Sequence, residues 1–455
     1  MSDGFHGADV AQLRHLATAM RSAGTTLQMQ LSNFSSGVAS TRWPGPDAEN
    51  FRHDWKSGHS RVLRDAVAFL NSAAAELSRN ANEQDAASSA DSHHGSASSM
   101  SGASSGVSAG TPRPADLHGK SAAQVQDWWS GLTADQQRAF IRDYPAEAGN
   151  TNGIPFDARV EANRANAQDR IDWLTNNDPE PRFNPLLMDA GYPQRFNDEH
   201  AAWEERQLGR GYLQKVVDGK VQLAAYDPAR NSIVEMIGNY EESKSTVITY
   251  VPGTATDEAS FYGGGPQQVP TRLVQADQTG GTVAFVYKGT EFPDGGFAEA
   301  FLVEAKSDEF VAATSPVLRD FQAAVELERP DGAQTVGVGH SWGLRNLTGS
   351  ETDGARYDKV IALSGASLPP GWTPDPETAY SSYTYPDILL TAERSGVVGE
   401  NYPMKEPAFD KHVYAPPGGM DPLDIYSIEN HSLIASTDPD NEKALEDVME
   451  EIRAK

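Results

Sequence analysis

The second half of the chain alternates short apolar runs with longer helical patterns, and this alternation is the strongest constraint on its fold. Residues 246–251, 282–287 and 359–363 are near-continuous apolar runs, and a helical pattern fills 297–328. Strands that are apolar on both faces belong inside a parallel sheet, because the helices that connect parallel strands cover both faces. The pattern therefore predicts an α/β fold with a mostly parallel sheet covered by helices.

The other predicted elements complete a domain over residues 116–455, whose first part, 116–210, is a helical extension. Further strands are predicted at 216–226, 232–238, 335–338, 388–391 and 412–415. Helices are predicted over 121–175 and 441–453. In this prediction 388–391 is the penultimate strand and 412–415 is the last.

Residues 1–87 carry two apolar stripes at helical spacing, separated by the Pro- and Gly-containing segment 41–47. Because each stripe needs covering, the pattern predicts an antiparallel helical hairpin. Residues 88–115 consist almost entirely of Ser, Ala, Gly, Asp and His. Such a stretch buries too little apolar surface to order itself, so it is predicted to be a disordered linker.

The net charge of −27 argues against nucleic acid and anionic lipid as partners, since both need an excess of Lys and Arg. The absence of cysteine excludes disulfides, thiolate nucleophiles and Cys-ligated metals. Residues 1–10 lack the pattern of a Sec signal peptide, and no apolar run approaches the ~18 residues of a membrane helix. We therefore expect no stable membrane insertion, and we expect no cofactor.

The pattern G-x-S-x-G occurs three times, around Ser104, Ser108 and Ser341. The first two lie in the Ser- and Gly-rich linker and reflect composition. Ser341 differs because a predicted strand precedes it and a segment that can start a helix follows it. A strand, a tight turn and a helix form the setting that exposes a nucleophilic serine, so Ser341 is the predicted nucleophile.

The spacing of the two glycines has a steric reason. Positions 339 and 343 are expected to lie against the neighbouring strand and helix, where a side chain would clash. The amino terminus of the helix then directs free N–H groups toward the reacting centre.

A serine nucleophile needs a base, and only His412 and His431 follow Ser341 in the chain. We favour His431, because the base normally follows the last strand. The acid should follow the penultimate strand. Glu393 is the first choice there, and three other carboxylates remain open: Glu400, Asp387 and Asp410.

The oxyanion of an acyl-transfer intermediate needs two backbone donors. One is the N–H of Trp342, the residue after the nucleophile. The other is expected in the small-residue loop after strand 246–251. Thr254 is the first choice, with Gly253 and Ala255 as alternatives.

With these features the chain resembles, over about residues 120–440, an actinobacterial α/β-hydrolase family formerly catalogued as a domain of unknown function. The motifs that carry the resemblance are Trp128-Trp129, Gly149-Asn150, Ala162-Asn163-Arg164, Tyr226-Asp227-Pro228, Pro252-Gly253-Thr254 and Gly339-His340-Ser341-Trp342-Gly343. The resemblance implies the α/β-hydrolase fold, Ser341 as nucleophile and His431 as base. The family usually has an Asp after the penultimate strand, and residues 392–400 contain none. Either Glu393 or Glu400 replaces it, or the triad is incomplete.

Residues 1–90 resemble the W-x-G helical hairpins exported by type VII secretion systems, through Trp43-Pro44-Gly45 and Asn80-Ala81-x-Glu83-Gln84. The resemblance implies a helical-hairpin partner or self-pairing, and a location in the cell envelope or outside the cell. The Tyr of the usual export tail is missing, since no tyrosine precedes Tyr144. A partner would then supply the signal; otherwise the protein is cytoplasmic.

The sequence thus predicts a serine hydrolase that cleaves an acyl ester, of a lipid or a small molecule, through an acyl-enzyme on Ser341. The hairpin suggests a type VII secretion-associated effector. The alternative is a non-catalytic binding protein whose hydrolase site has degenerated at the acid.

Overall fold

The apolar runs of the second half form the middle of an eight-stranded sheet. The computed structural model describes residues 112–182, 192–241, 243–293, 308–387, 401–417 and 428–454. They belong to a unit that spans Ser108–Lys455. The predicted hairpin 1–87, and the predicted linker up to residue 111, lie outside the described residues.

The sheet has the order β1-β2-β4-β3-β5-β6-β7-β8. Its strands are β1 Gln222–Asp227, β2 Ser232–Ile237, β3 Thr246–Val251, β4 Thr282–Lys288, β5 Gln334–His340, β6 Lys359–Leu363, β7 Ala379–Thr384 and β8 Phe409–Val413. The strand β2 runs antiparallel to β1 and β4, and the pairs from β4 through β8 are parallel. The predicted α/β fold with a mostly parallel sheet is confirmed.

Helices cover both faces of this sheet. They are α1 Ala122–Ser130, α2 Ala134–Asp143, α3 Pro145–Asn150, α4 Phe156–Asn177, α5 Tyr192–Val217, α6 Glu258–Tyr262, α7 Gln268–Ala276, α8 Asp308–Glu328, α9 Trp342–Thr352, α10 Ile428–Leu433 and α11 Glu442–Arg453. Within the described ranges, none is long and apolar enough to cross a membrane.

The two apolar cores follow from the alternation of side chains along each strand. In β3, Ile248 and Tyr250 belong to one core, which also contains Val448 of α11. Val247 of the same strand belongs to the other core, together with Leu344 of α9. A strand buried on both faces is usually apolar over most of its length, and β3 accordingly appears as a near-continuous run in the sequence.

The motifs of the helical extension fasten it to β1. Asn163 donates from Nδ2 to the carbonyls of Leu223 and Gly149, both at 2.9 Å. Asn150 and Tyr226 exchange two bonds: Asn150 Nδ2 donates to Tyr226 O at 2.9 Å, and Tyr226 N donates to Asn150 Oδ1 at 2.8 Å. A Cβ on Gly149 would lie 2.2 Å from Asn163 Oδ1. These motif residues therefore join the extension to the sheet.

Three points of the strand prediction need correction. The last strand, predicted at 412–415, is β8 at Phe409–Val413. The first part of predicted strand 216–226 is wrong, because α5 extends to Val217 and β1 begins at Gln222. Among the described residues the strand before β8 is β7, which the sequence does not predict because the buried Ser381 and Ser382 interrupt its apolar pattern. The run predicted as penultimate strand, 388–391, lies outside the described residues. The acid is therefore expected after Thr384.

Candidate active site

Ser341 forms the turn between β5 and α9. Its backbone has φ 52° and ψ −124°, a conformation that L residues with a side chain rarely adopt. The N–H of Ser341 donates to Leu363 O of β6 at 3.1 Å, and Ser341 O accepts from the N–H of Ala366 at 2.9 Å. The chain from β6 thus holds the strained turn in place, as a nucleophile elbow requires.

Backbone atoms of neighbouring segments lie close to both glycines of the motif, Gly339 and Gly343, as their spacing suggests. A Cβ on Gly339 would lie 2.5 Å from Leu344 N, and a Cβ on Gly343 would lie 2.0 Å from Val251 O. In both cases the obstacle is backbone, which cannot rotate out of the way. The turn can therefore bring β5, α9 and the end of β3 together only with glycine at these positions.

Replacing Gly343 with alanine is expected to destabilise the fold by roughly 1–3 kcal/mol, because the new methyl group forces α9 away from β3. The matched control is Gly211→Ala, in the exposed middle of α5, where an added Cβ meets nothing within 4 Å. That change should stabilise the protein by about 0.5–1 kcal/mol through helix propensity. Urea unfolding of both variants measures the difference, and equal effects of the two would contradict the packing.

His431 lies on the short helix α10, which follows β8 in the chain. Its Nδ1–H donates to Asp387 Oδ2 at 3.1 Å. Asp387 is only 1% exposed and follows the end of β7. A second bond joins the same two segments, because the side-chain amide of Asn430, the residue before His431, donates to Pro386 O at 2.9 Å. An ionised carboxylate only accepts, so the proton of the neutral ring lies on Nδ1 and Nε2 can act as a base.

His340 connects this pair to the elbow. Its Nε2–H donates to the backbone O of His431 at 3.1 Å, and the two imidazole rings lie 5.1 Å apart. Burial, together with the neighbouring His431, lowers the pKa of His340 to about 3, so this ring is neutral near pH 7. Because His340 directly precedes Ser341, the contact brings the backbone of His431 close to the elbow.

The loop after β3 lies against the elbow. A Cβ on Gly253 would lie 3.1 Å from Ser341 Cβ. The N–H of Ala255 already donates to Pro293 O at 2.6 Å, so of the three predicted oxyanion donors this one is engaged elsewhere. Thr254 and Gly253 remain. The N–H of Trp342, in the first turn of α9, has no carbonyl one turn earlier in its own helix.

The other predicted site residues are Glu393, Glu400, His412 and Asp410. Glu393 and Glu400 are outside the described residues. His412 lies on β8, where its ring stacks on Tyr383 at 4.4 Å and its Nε2 is 3.4 Å from Asp410. In the part of the chain that the structure describes, no group of His, Asp or Glu residues is arranged to hold a metal ion.

The structure thus pairs His431 with Asp387, which was only an alternative in the sequence, and joins His431 to His340, the residue before Ser341. The position of Asp387 two residues beyond the Tyr of Tyr385-Pro386 gave no signal, because β7 was not recognised. His340 was not predicted to have a role of its own, although its place next to the nucleophile was visible.

No family model matches the chain. Two uncharacterized proteins of Mycobacterium tuberculosis, from two strains, are each 28% identical to it over 153 residues, which is 30% of this chain. The chain spans only 23% of the length of these curated relatives.

Several solved structures are similar to the chain. A carboxylesterase from Mesorhizobium loti has a TM-score of 0.30 and 10% identity, and the match covers 47% of this chain and 96% of that one. A dienelactone hydrolase-like promiscuous phosphotriesterase from metagenomic libraries has a TM-score of 0.31 and 12% identity, over 50% and 95% of the two chains. These similarities are too distant to transfer an activity. By its sheet and its elbow, the described part of the chain has the α/β-hydrolase fold.

Proposed function

We propose that this protein is a serine hydrolase that cleaves an acyl ester, of a lipid or a small molecule, through an acyl-enzyme on Ser341. The observation that carries the proposal is the buried His431–Asp387 pair beside a strained serine turn. The residue before Ser341, His340, contacts the backbone O of His431, which supports a position of this pair close to the serine turn. The order Ser, acid, His along the chain is also that of α/β-hydrolase triads.

The reaction follows from these positions. Ser341 Oγ attacks the ester carbonyl carbon while His431 Nε2 takes the hydroxyl proton. The N–H groups of Trp342 and of Thr254, or of its neighbour Gly253, stabilise the oxyanion of the tetrahedral intermediate. When the intermediate collapses, the C–O bond to the alcohol breaks, and the alcohol leaves with the proton held by His431.

Deacylation repeats these steps with water as the nucleophile. His431 takes a proton from the water, the oxygen attacks the acyl carbon, and Ser341 Oγ leaves with the proton. The carboxylic acid is released and the free enzyme is restored. The role of Asp387 in both steps is to orient the ring and stabilise the imidazolium.

The proposal is tested by hydrolysis of p-nitrophenyl acetate and butyrate before and after treatment with a fluorophosphonate. Turnover should disappear in proportion to the fraction of chains that carry one phosphonyl group. The alternative, a binding protein with a degenerate site, predicts no turnover above the buffer rate and no inactivation.

We also propose that residues 1–87 pair with a second helical hairpin, from another copy or from a small helical partner, and that the protein is a type VII secretion-associated effector. The apolar stripes and the W-x-G resemblance support this proposal. A fragment of residues 1–90 should dimerise, or bind such a partner, in analytical ultracentrifugation. A well-folded fragment that stays monomeric with every candidate partner would contradict the pairing. Export is tested separately, by the dependence of secretion on the type VII system.

A further inference from the structure

His340 lies between two segments that the proposed reaction requires. On one side, its Nε2 is 3.1 Å from the backbone O of His431. On the other side, its Nδ1 is 3.1 Å from the position that a Cβ on Gly253 would take, and its Cε1 is 3.4 Å from the same point. The ring therefore lies against both the segment that carries the base and the loop that carries an oxyanion donor.

The hydrogen bond fixes the protonation of this ring. A backbone carbonyl only accepts, so Nε2 must carry the proton. A neutral imidazole has a single N–H, which leaves Nδ1 as the acceptor on the side of Gly253. The low pKa of His340 agrees with a single N–H, since it keeps the ring neutral. The same low pKa makes His340 a weak base, so it is poorly suited to take the proton of Ser341.

The backbone of His340 is held in place by the central sheet. His340 is the last residue of β5 and pairs with Leu363 of the neighbouring strand β6. By contrast, α10 spans only Ile428–Leu433, and two described bonds join it to Pro386 and Asp387 after β7. The bond from His340 joins α10 directly to the strand that ends in the nucleophile.

We propose that His340 is a positioning residue, which holds the base-carrying backbone of His431 and the loop at Gly253 in register with Ser341. This inference rests on the proposed function. His340 acts through His431 and the loop and does not touch the reacting atoms. Its contribution should therefore appear in kcat, because displacing a base affects the transition state more than the binding of the substrate.

The test compares substitutions that do or do not reach the carbonyl of His431. His340→Gln can place its amide N–H near the position of the original Nε2–H, whereas the shorter His340→Asn cannot. We expect His340→Asn to lower kcat by roughly 10–100-fold, as a displacement of about 1 Å can do. KM should change by less than about twofold, and His340→Gln should recover most of the loss.

Two further variants separate positioning from stability. His340→Phe keeps the size of the ring without the donor, and should lose as much kcat as His340→Asn. His412→Phe makes the same substitution on β8, where the ring stacks on Tyr383, and should leave kcat unchanged. Thermal melting of each variant identifies any that fail to fold. The pair Gln and Asn, which are both polar, provides the test even if the Phe variant does not fold.

The inference is overturned if His340→Asn and His340→Gln have equal kcat while wild-type hydrolysis still depends on Ser341. It is also overturned if His340→Asn keeps the wild-type kcat. Failure of the proposed function looks different, since the wild type itself would then show no Ser341-dependent hydrolysis. A loss in the Asn variant that the Gln variant recovers, with KM unchanged, supports the positioning role.

Discussion

Replacing Ser341 with alanine is expected to lower kcat for p-nitrophenyl ester hydrolysis on the order of 10⁴-fold or more. The variant has no nucleophile, and the remaining catalysis comes from the oxyanion donors and from substrate binding. The fold should be unaffected, because the described hydrogen bonds of Ser341 to Leu363 and Ala366 use its backbone. An unchanged melting temperature serves as the control. A variant that kept a tenth of the wild-type kcat would show that another group performs the reaction.

The double variant Ser341→Ala/His431→Ala sharpens this prediction. A nucleophile and its base act as a unit, so removing the second after the first should cost almost nothing more. His431→Ala alone should lose nearly as much kcat as Ser341→Ala. Independent, multiplying losses would mean that the two residues do not act in one step.

Replacing Asp387 with asparagine is expected to lower kcat on the order of 10³–10⁴-fold. The amide of Asn can donate to Nδ1 of His431, which moves the ring proton to Nε2. In that tautomer the ring cannot accept the proton of Ser341. Because Asp387 is only 1% exposed, water has little room to replace the lost acceptor. Steady-state kinetics with the same esters measures the loss.

The matched controls are Glu393→Gln and Glu400→Gln, which neutralise the two acidic candidates within residues 392–400. Because Asp387 already accepts from His431, each of these changes should alter kcat by less than about twofold. If Glu393→Gln lowered kcat more than Asp387→Asn does, Glu393 and not Asp387 would be the carboxylate that orients His431.

Strands that are buried on both faces and apolar along their length were predicted most accurately. The bounds of β3, Thr246–Val251, and of β6, Lys359–Leu363, agree with the prediction residue for residue, since both strands are buried on both faces. β7 is equally buried over most of its length, but it contains Ser381, Ser382 and Thr384. Buried hydroxyl side chains interrupt the apolar run, so a prediction based on apolar runs does not find this strand.

The failure to predict β7 accounts for the uncertainty over which carboxylate completes the triad. Ser341 and His431 could be chosen from chain order, because few histidines follow the elbow. The choice of Asp387 depends on where β7 ends, which the sequence did not reveal. The contact between His340 and His431 joins residues 91 positions apart, and no local pattern encodes it.

The most direct test of the central claim is to locate the phosphonyl group after treatment with a fluorophosphonate. Peptide mass spectrometry of the treated wild type should find one adduct, with fragment ions that place it on Ser341. The Ser341→Ala variant should carry none. A wild type without an adduct, or the same adduct at another residue in both proteins, would contradict Ser341 as the nucleophile.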